Sequence, residues 1–391
     1  MRIIDQLDNK KVLIWGYGRE GKSTENFIKL YCPHTKYEIY EGDKEGFSEE
    51  DFDFIIKSPG IPFLTSNPKY ISQTSLFLDE FKDQTIAITG TKGKSTTSSL
   101  MYHVLESANK KCILVGNIGQ PCLDYYSDID KDTYIVFEIS AHQLVSSKTS
   151  PHIGAFLNLY EEHLDYYQNM ENYFNAKANI TRFQNESDYY LFGKDVPSID
   201  TKANKILIDN IRKFDLQLKG DHNQFNANVV YYIAVNILKL DEELVLKSLK
   251  EFKNLKHRLD FVGTFGDIDY YDDSISTIPQ ATISAINSIS NVDTIIIGGL
   301  DRGINYDILV DYIKNHKYNY IMTYGSGKVI YDKVSGLDYV FYEEDLKKAV
   351  DLAKKITQKG KACVLSPASA SYDHFKNFEE RGNVFVELIK K

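Results

Sequence analysis

The chain has 391 residues, 42% of them hydrophobic, and carries a formal net charge of −9 at pH 7. That is too long for one ordinary core and predicts two or three domains. The negative charges are spread along the sequence and no basic stripe gathers, which argues against a nucleic-acid or acidic-membrane binder. Cys32, Cys112, Cys122 and Cys363 are scattered without a Cys-x-x-Cys pair, as expected of buried reduced thiols. The start, Met1-Arg2-Ile3-Ile4-Asp5-Gln6, lacks a signal-like apolar core, and no run of 18 apolar residues follows, so a cytoplasmic protein is expected.

Short β-branched or aromatic runs alternate with helix-length segments, the rhythm of α/β layers around a mostly parallel sheet. The first predicted strand, Lys11 to Trp15, runs into Gly16-Tyr17-Gly18-Arg19-Glu20-Gly21. This Gly-x-Gly-x-x-Gly spacing after a strand could by itself signal dinucleotide binding, but it is weak evidence alone. A second strand, Phe54 to Ile56, precedes Lys57-Ser58-Pro59-Gly60-Ile61-Pro62, and polar Lys82-Asp83-Gln84 marks a boundary.

The strand Thr85 to Thr89 leads into Gly90-Thr91-Lys92-Gly93-Lys94-Ser95-Thr96 and then an amphipathic stretch with Leu100, Met101, Val104 and Leu105. In a strand, glycine loop and helix of this kind, backbone N–H groups cradle phosphates. A lysine adds a point charge, and a hydroxyl can ligate Mg²⁺. Lys94 fits the first role and Ser95 or Thr96 the second, although Ile88 stands where the general pattern has its first glycine.

Glu138 follows the strand Tyr134 to Phe137, and Glu161-Glu162-His163-Leu164-Asp165 follows Ile153 to Asn158. Carboxylate and imidazole beside a phosphate loop could hold Mg²⁺, though a single histidine such as His163 is more often an ordinary surface or core residue. Met170 to Ile180 reads as a helix on which Lys177, taken alone, is a solvated lysine. Lys253-Asn254-Leu255-Lys256 marks a second boundary, and the strands Thr294 to Ile297, Tyr320 to Tyr324 and Ala362 to Leu365 complete the alternation. Three domains are expected, 1–82, 83–255 and 256–391.

The ordered set Gly90 to Ser95, Gly116-Asn117-Ile118-Gly119, Glu138, Glu162-His163-Leu164-Asp165, Ala176-Lys177, His222-Asn223, His257-Arg258 and Asp273-Ser274 resembles the Mur ligase family over essentially the whole chain. The resemblance implies a three-domain α/β architecture: a Rossmann-like first domain for a UDP-linked precursor, a P-loop central ATPase domain, and a Rossmann-like third domain for the incoming amino acid. It further implies ATP on Gly90, Thr91, Lys92, Gly93, Lys94, Ser95 and Thr96, with Asn223, Arg258 and Asp273 on the nucleotide. Mg²⁺ is implied on Ser95, Glu138, His163 and a carbamylated Lys177. Lys94, Glu138, His163 and Lys177 form the catalytic set. Gly18, Arg19, Glu20 and Ser58 would take the UDP-sugar, and Asn117 and Ser140 the muramoyl peptide. Closure of the third domain is expected to complete the site.

The stretch Ser366 to Gly382 looks like that of the glutamate-adding branch. There Thr277, Arg302, Ser371, Tyr372 and Phe378 would surround glutamate, with Arg302 in place of the usual lysine and able to bind a carboxylate bidentately. The expected reaction joins D-glutamate to UDP-N-acetylmuramoyl-L-alanine through an acyl phosphate, for peptidoglycan synthesis, by a monomer without nucleic-acid or membrane partners. Asp272-Asp273-Ser274-Ile275-Ser276-Thr277 departs from the common pattern, Ile275 replacing a lysine, and Ala141 and His142 replace a serine and an aromatic residue. This departure also resembles a subgroup that adds L-glutamate and relies on an epimerase. Folate polyglutamylation, a diamino-acid ligase and a nucleotide-binding regulator without turnover are the remaining alternatives.

Overall fold

The computed structural model describes residues 2–118, 120–209, 211–218, 220–253 and 255–391. Gly119 of the glycine-asparagine motif and Asn254 of the second boundary therefore lie outside the described residues. Two compact units result, Met1–Phe214 with Phe225–Lys250, and Asp215–Gln224 with Glu251–Lys391.

The first unit holds two sheets, parallel throughout. One contains β1 (Lys11–Trp15), β2 (Lys36–Tyr40), β3 (Phe54–Lys57) and β4 (Tyr70–Ile71) in the order β2-β1-β3-β4. The other contains β5 (Thr85–Thr89), β6 (Cys112–Gly116), β7 (Tyr134–Glu138), β8 (Ile153–Phe156), β9 (Tyr189–Gly193) and β10 (Asn204–Ile208), ordered β10-β9-β8-β5-β7-β6. The central strands β5 and β8 are buried at every residue, the near-continuous apolar reading expected of a parallel strand covered on both faces. One apolar cluster runs from Ile14 and Phe27 through Phe77 to Phe137 and Phe156, so the two sheets share a continuous core.

The second unit holds β11 (Asp260–Phe265), β12 (Ile268–Asp272), β13 (Val292–Gly298), β14 (Asn319–Thr323), β15 (Val340–Glu343) and β16 (Ala362–Leu365) in the order β11-β12-β16-β13-β14-β15. Among these described strands only the β11–β12 hairpin at the edge pairs antiparallel.

Each sheet reverses its strand order near the middle, and ligands in open α/β sheets bind beyond the carboxyl ends of strands at such points. In the first sheet the reversal faces the loops after β1 and β3. In the second it faces those after β5, β7 and β8, and in the third those after β12, β13 and β16. These loops carry most of the candidate residues. Two strands end earlier than the sequence pattern suggests. β14 stops at Thr323 because Tyr324 turns left-handed with φ +57°. β8 stops at Phe156, and Asn158 turns to grip the phosphate loop instead.

Candidate active site

β5 delivers the chain into the Gly90–Gly93 loop, and the helix Lys94–Ser107 follows directly. Gly93 precedes that helix with φ +86°, and a Cβ there would meet Asn226 Oδ1 at 2.8 Å, so both conformation and space require glycine. The loop is held in shape from β8: Asn158 Oδ1 accepts from the Lys92 N–H at 2.9 Å, and Asn158 Nδ2 donates to Lys92 O at 3.0 Å. Asn158 was not among the sequence candidates; a polar turn former at the mouth of a buried strand was its only signal. Lys94 folds back over the loop and donates to Gly90 O and Thr91 O at 3.0 and 2.9 Å. Lys92 pairs with Glu162 at 3.1 Å. Ser95 is buried in the first turn of the helix and Thr96 half-buried beside it.

Lys177 corrects its solvated reading: it is 1% exposed, on the helix Met170–Ala178. Its Nζ donates to Gly90 O at 2.9 Å and lies 4.7 Å from the centre of the Tyr173 ring. Burial, then the positive charges of Lys94 and Lys92, push its pKa well below the ordinary lysine value, against the opposing carboxylates of Glu162 and Glu138. The fold thus favours the uncharged form of this amine, held against the phosphate loop.

Glu138 ends β7, in register with Ile88 of β5, and is 1% exposed. Oε1 accepts from Asn117 Nδ2 at 3.1 Å, whereas Oε2 is buried with no hydrogen-bond partner among the described residues. A buried half-satisfied carboxylate is costly unless a cation completes it. His163 adopts a left-handed backbone with φ +59°, and its ring meets His142 edge-on with centroids 4.7 Å apart. Burial above all, with His163 and Lys57 nearby adding to it, lowers the His142 pKa to about 3, which keeps that ring neutral. Among the described residues no group of three or more His, Cys, Asp or Glu converges on one point. The fit for Mg²⁺ rests on the orphaned Glu138 oxygen, because this ion takes only one or two protein carboxylates and fills the rest with phosphate oxygens and water.

In the first sheet, Gly16 turns with φ +91° under Ser58, whose Oγ donates to Gly16 O at 2.9 Å. A Cβ on Gly21 would stand 2.2 Å from Gly16 O, so the third glycine of the fingerprint is needed for close packing of loop on helix. Gly18 and Arg19 are exposed at the start of the helix Arg19–Tyr31. Glu20 is half-buried; its Oε1 accepts from Gln143 Nε2 at 2.7 Å, and Oε2 is buried without a partner among the described residues. Burial raises its carboxyl pKa. Gln143 in turn closes a capping box with Ser140. Asn117 is exposed apart from its bond to Glu138. Lys57 is 5% exposed, donates to Ser58 O, Ile61 O and the Tyr166 hydroxyl, and has its pKa lowered to about 8 by burial.

In the second unit, Asp273 follows β12 and is buried. Its Oδ1 accepts from the Leu259 N–H and its Oδ2 from the hydroxyls of Ser276 and Ser366, while burial raises its pKa to about 7. Arg258 lies over the Phe378 ring at 5.9 Å. Thr277 and Arg302 are half-buried, Ser371 is buried, and Tyr372 is 68% exposed. Asn223 is buried near the start of the helix Asp221–Tyr231. The structure thus gathers Gly90 to Thr96, Asn117, Glu138, His163 and Lys177 in the first unit, and Arg258, Asp273, Thr277, Arg302, Ser371 and Phe378 in the second.

The family model of the Mur ligase middle domain matches residues 88–265, and together with full-length relatives this shows that the chain belongs to the Mur ligase family. It is 32% identical to the UDP-N-acetylmuramoylalanine–D-glutamate ligase of Aquifex aeolicus, over 97% of this chain and 98% of that protein. It is 33% identical to the enzyme of the same name from Bacillus cereus, over the whole of both chains. Among solved structures, the MurF ligase of Thermotoga maritima in complex with ADP superposes with a TM-score of 0.66 at 14% identity, covering 99% of this chain and 96% of that one. That likeness bears on the fold.

Proposed function

We propose that this protein joins D-glutamate to UDP-N-acetylmuramoyl-L-alanine at the expense of ATP, passing through an acyl phosphate, in the synthesis of peptidoglycan precursors. The observation that carries the reading is Lys177, an amine fully buried against Gly90 O of the phosphate loop, with its pKa pushed well below the ordinary lysine value by that burial. A simple nucleotide binder has no use for it, whereas a neutral amine can take up carbon dioxide to become a carbamate, turning a cation into a carboxylate-like metal ligand. Full-length likeness to D-glutamate ligases supports the choice of substrate.

In this reading the Gly90–Gly93 N–H groups and Lys94 hold the ATP phosphates, and Ser95, Glu138, His163 and carbamylated Lys177 would hold Mg²⁺. The metal supplies charge neutralisation to the transferring phosphoryl group. Gly18, Arg19, Glu20 and Ser58 orient the UDP end of the precursor, and Asn117 and Ser140 its peptide arm. Asn223, Arg258 and Asp273 are assigned to the nucleotide. Thr277, Arg302, Ser371, Tyr372 and Phe378 are assigned to glutamate, Arg302 gripping the side-chain carboxylate. Held beside the acyl phosphate, the glutamate amine attacks it in an effectively unimolecular step. The domains are 1–82, 83–255 and 256–391, with the precursor's UDP end on the first, the ATP phosphates on the second and glutamate on the third. No helix among the described residues is long and apolar enough to cross a membrane, and we place the reaction in the cytoplasm, carried out by a monomer.

Ile275 and Arg302 motivate L-glutamate as the second reading. Phosphate release is to be measured with the precursor, ATP and Mg²⁺, in parallel with D-glutamate, L-glutamate and no amino acid. Release with D-glutamate alone is the expected outcome. Release with L-glutamate alone moves the protein to the epimerase-dependent route, and silence with both overturns the glutamate assignment.

A further inference from the structure

Arg381 heads the fully buried large side chains, with 1% exposure. It sits in the first turn of the helix Phe378–Lys390, and Asn377 caps that helix by accepting from the Glu380 N–H at 2.8 Å. A guanidinium is expensive to bury unless its donors are met by acceptors in its own plane. Here the acceptors are mostly backbone carbonyls of the loops around the sheet reversal. Arg381 Nη2 donates to Ser274 O at 2.8 Å and to Ser369 O at 2.9 Å. Nη1 donates to Ala370 O at 3.3 Å, and Nε to Ser274 Oγ at 3.0 Å. The Ser274 hydroxyl passes the tie on, donating to Phe378 O at 2.8 Å.

Ala370 O also accepts from the Leu300 N–H at 2.9 Å, so the loop that carries Arg302 hangs on the same carbonyl. At Gly299 a Cβ would meet Ala370 O at 2.3 Å and Arg381 Nη1 at 2.8 Å; that loop can approach only as glycine. At Gly382 a Cβ would meet His257 Nδ1 at 2.2 Å and Asp272 Oδ2 at 2.6 Å, so the buried His257–Asp272 pair fills the other side of the post.

We infer that Arg381 is the positioning residue of the amino-acid site, bonded directly to the loops after β12 and β16 and, through Ala370 O, linked to the loop after β13. Thr277, Arg302 and Ser371 stand on those three loops, and Phe378 on the first turn of Arg381's own helix. Arg381 touches no substrate in this account; it sets the spacing between the groups that do. The assignment of those groups to glutamate rests on the reading above.

Arg381→Lys keeps the charge and loses the fork, and Ser274→Ala keeps the guanidinium's three carbonyl bonds and loses the hydroxyl that links Nε to Phe378 O. For Arg381→Lys the glutamate KM is expected to rise about tenfold to hundredfold, the range of one or two lost charge-assisted bonds. For Ser274→Ala the rise is about threefold to tenfold. In both, the KM for the precursor should stay at the wild-type value. A rise shared equally by glutamate and the precursor, or an unchanged glutamate KM in Ser274→Ala, overturns the inference. Should Arg381→Lys fail to fold, Ser274→Ala decides alone. Failure of the glutamate reading is recognised separately: wild-type protein is then silent with glutamate. In that case hydrogen exchange carries the test, since both variants should loosen residues 298–303 and 366–378 together while β12 and β16 stay protected. Loosening of only one loop, or of neither, overturns the clamp.

Discussion

Lys177 is the residue whose surroundings make the sharpest demand. Complete burial, then two neighbouring lysines, push its pKa well below the ordinary lysine value, and that shift has a thermodynamic signature as well as a chemical one. In the unfolded chain it titrates near 10.5, and in the folded chain well below that. Between those values the unfolded state binds one more proton, so stability rises with pH across the window. The contribution is complete above 10.5 and is lost as pH falls toward the folded value. In bicarbonate-free buffer, denaturant titrations of wild-type protein should therefore show stability rising as pH approaches 10.5 from below, by at most about 1.4 kcal/mol per pH unit. Lys177→Met should flatten that slope, and equal slopes would mean that the amine is charged. The same variant should lower kcat by about two to three orders of magnitude, as loss of a group that stabilises developing charge does. Wild-type activity should fall when carbon dioxide is stripped from the buffer and return with bicarbonate, a response absent from Lys177→Met.

At the scale of elements, the loops rather than the strands carry the specificity, and glycines set how closely loop and helix approach. Gly21 faces the Gly16 carbonyl so closely that an added Cβ would stand 2.2 Å from a backbone oxygen, which has no rotamer to change. Gly21→Ala must push the helix Arg19–Tyr31 off the β1 loop and spoil the cradle at its start. The precursor KM is expected to rise about tenfold or more, by analogy with small misplacements of a binding group. The KM for ATP should not move, because the Gly90–Gly93 loop belongs to another sheet; a shift in both would show a general loss of fold.

Much of this level was legible beforehand. β1, β5 and β16 match the strands read from their apolar runs, because strands buried on both faces announce themselves. β10 is mostly exposed and the β11–β12 hairpin lies at a sheet edge, and neither presents a continuous apolar run. Charged residues inside the core were the least legible. A lysine or arginine at helical spacing reads as solvent-facing, and only tertiary packing puts Lys177 against Gly90 or Arg381 among the loop carbonyls. Asn158 was hidden for a related reason, since its role is set by a partner 66 residues away.

For the whole molecule, the separate cores have a consequence that can be measured. The shared cluster of the first two sheets lies within the first unit, and the clusters around Ile297 and Ile296 lie within the second. Units with their own cores melt as separate cooperative blocks. Scanning calorimetry should resolve two transitions. Tripolyphosphate with Mg²⁺ offers the phosphate loop its ligand without an adenosine, so it should raise only the transition of the first unit. At one hundred times its Kd, mass action adds about 2.7 kcal/mol of stability. At about 2–4 °C per kcal/mol for units of this size, that transition should rise by about 5–10 °C. Lys94→Ala should abolish the shift, because the cation that folds over the loop is the one a polyphosphate would recruit. A shift of the second transition as well would place phosphate binding outside the Gly90–Gly93 loop, and a shift that survives Lys94→Ala would assign the charge recognition to Lys92 instead.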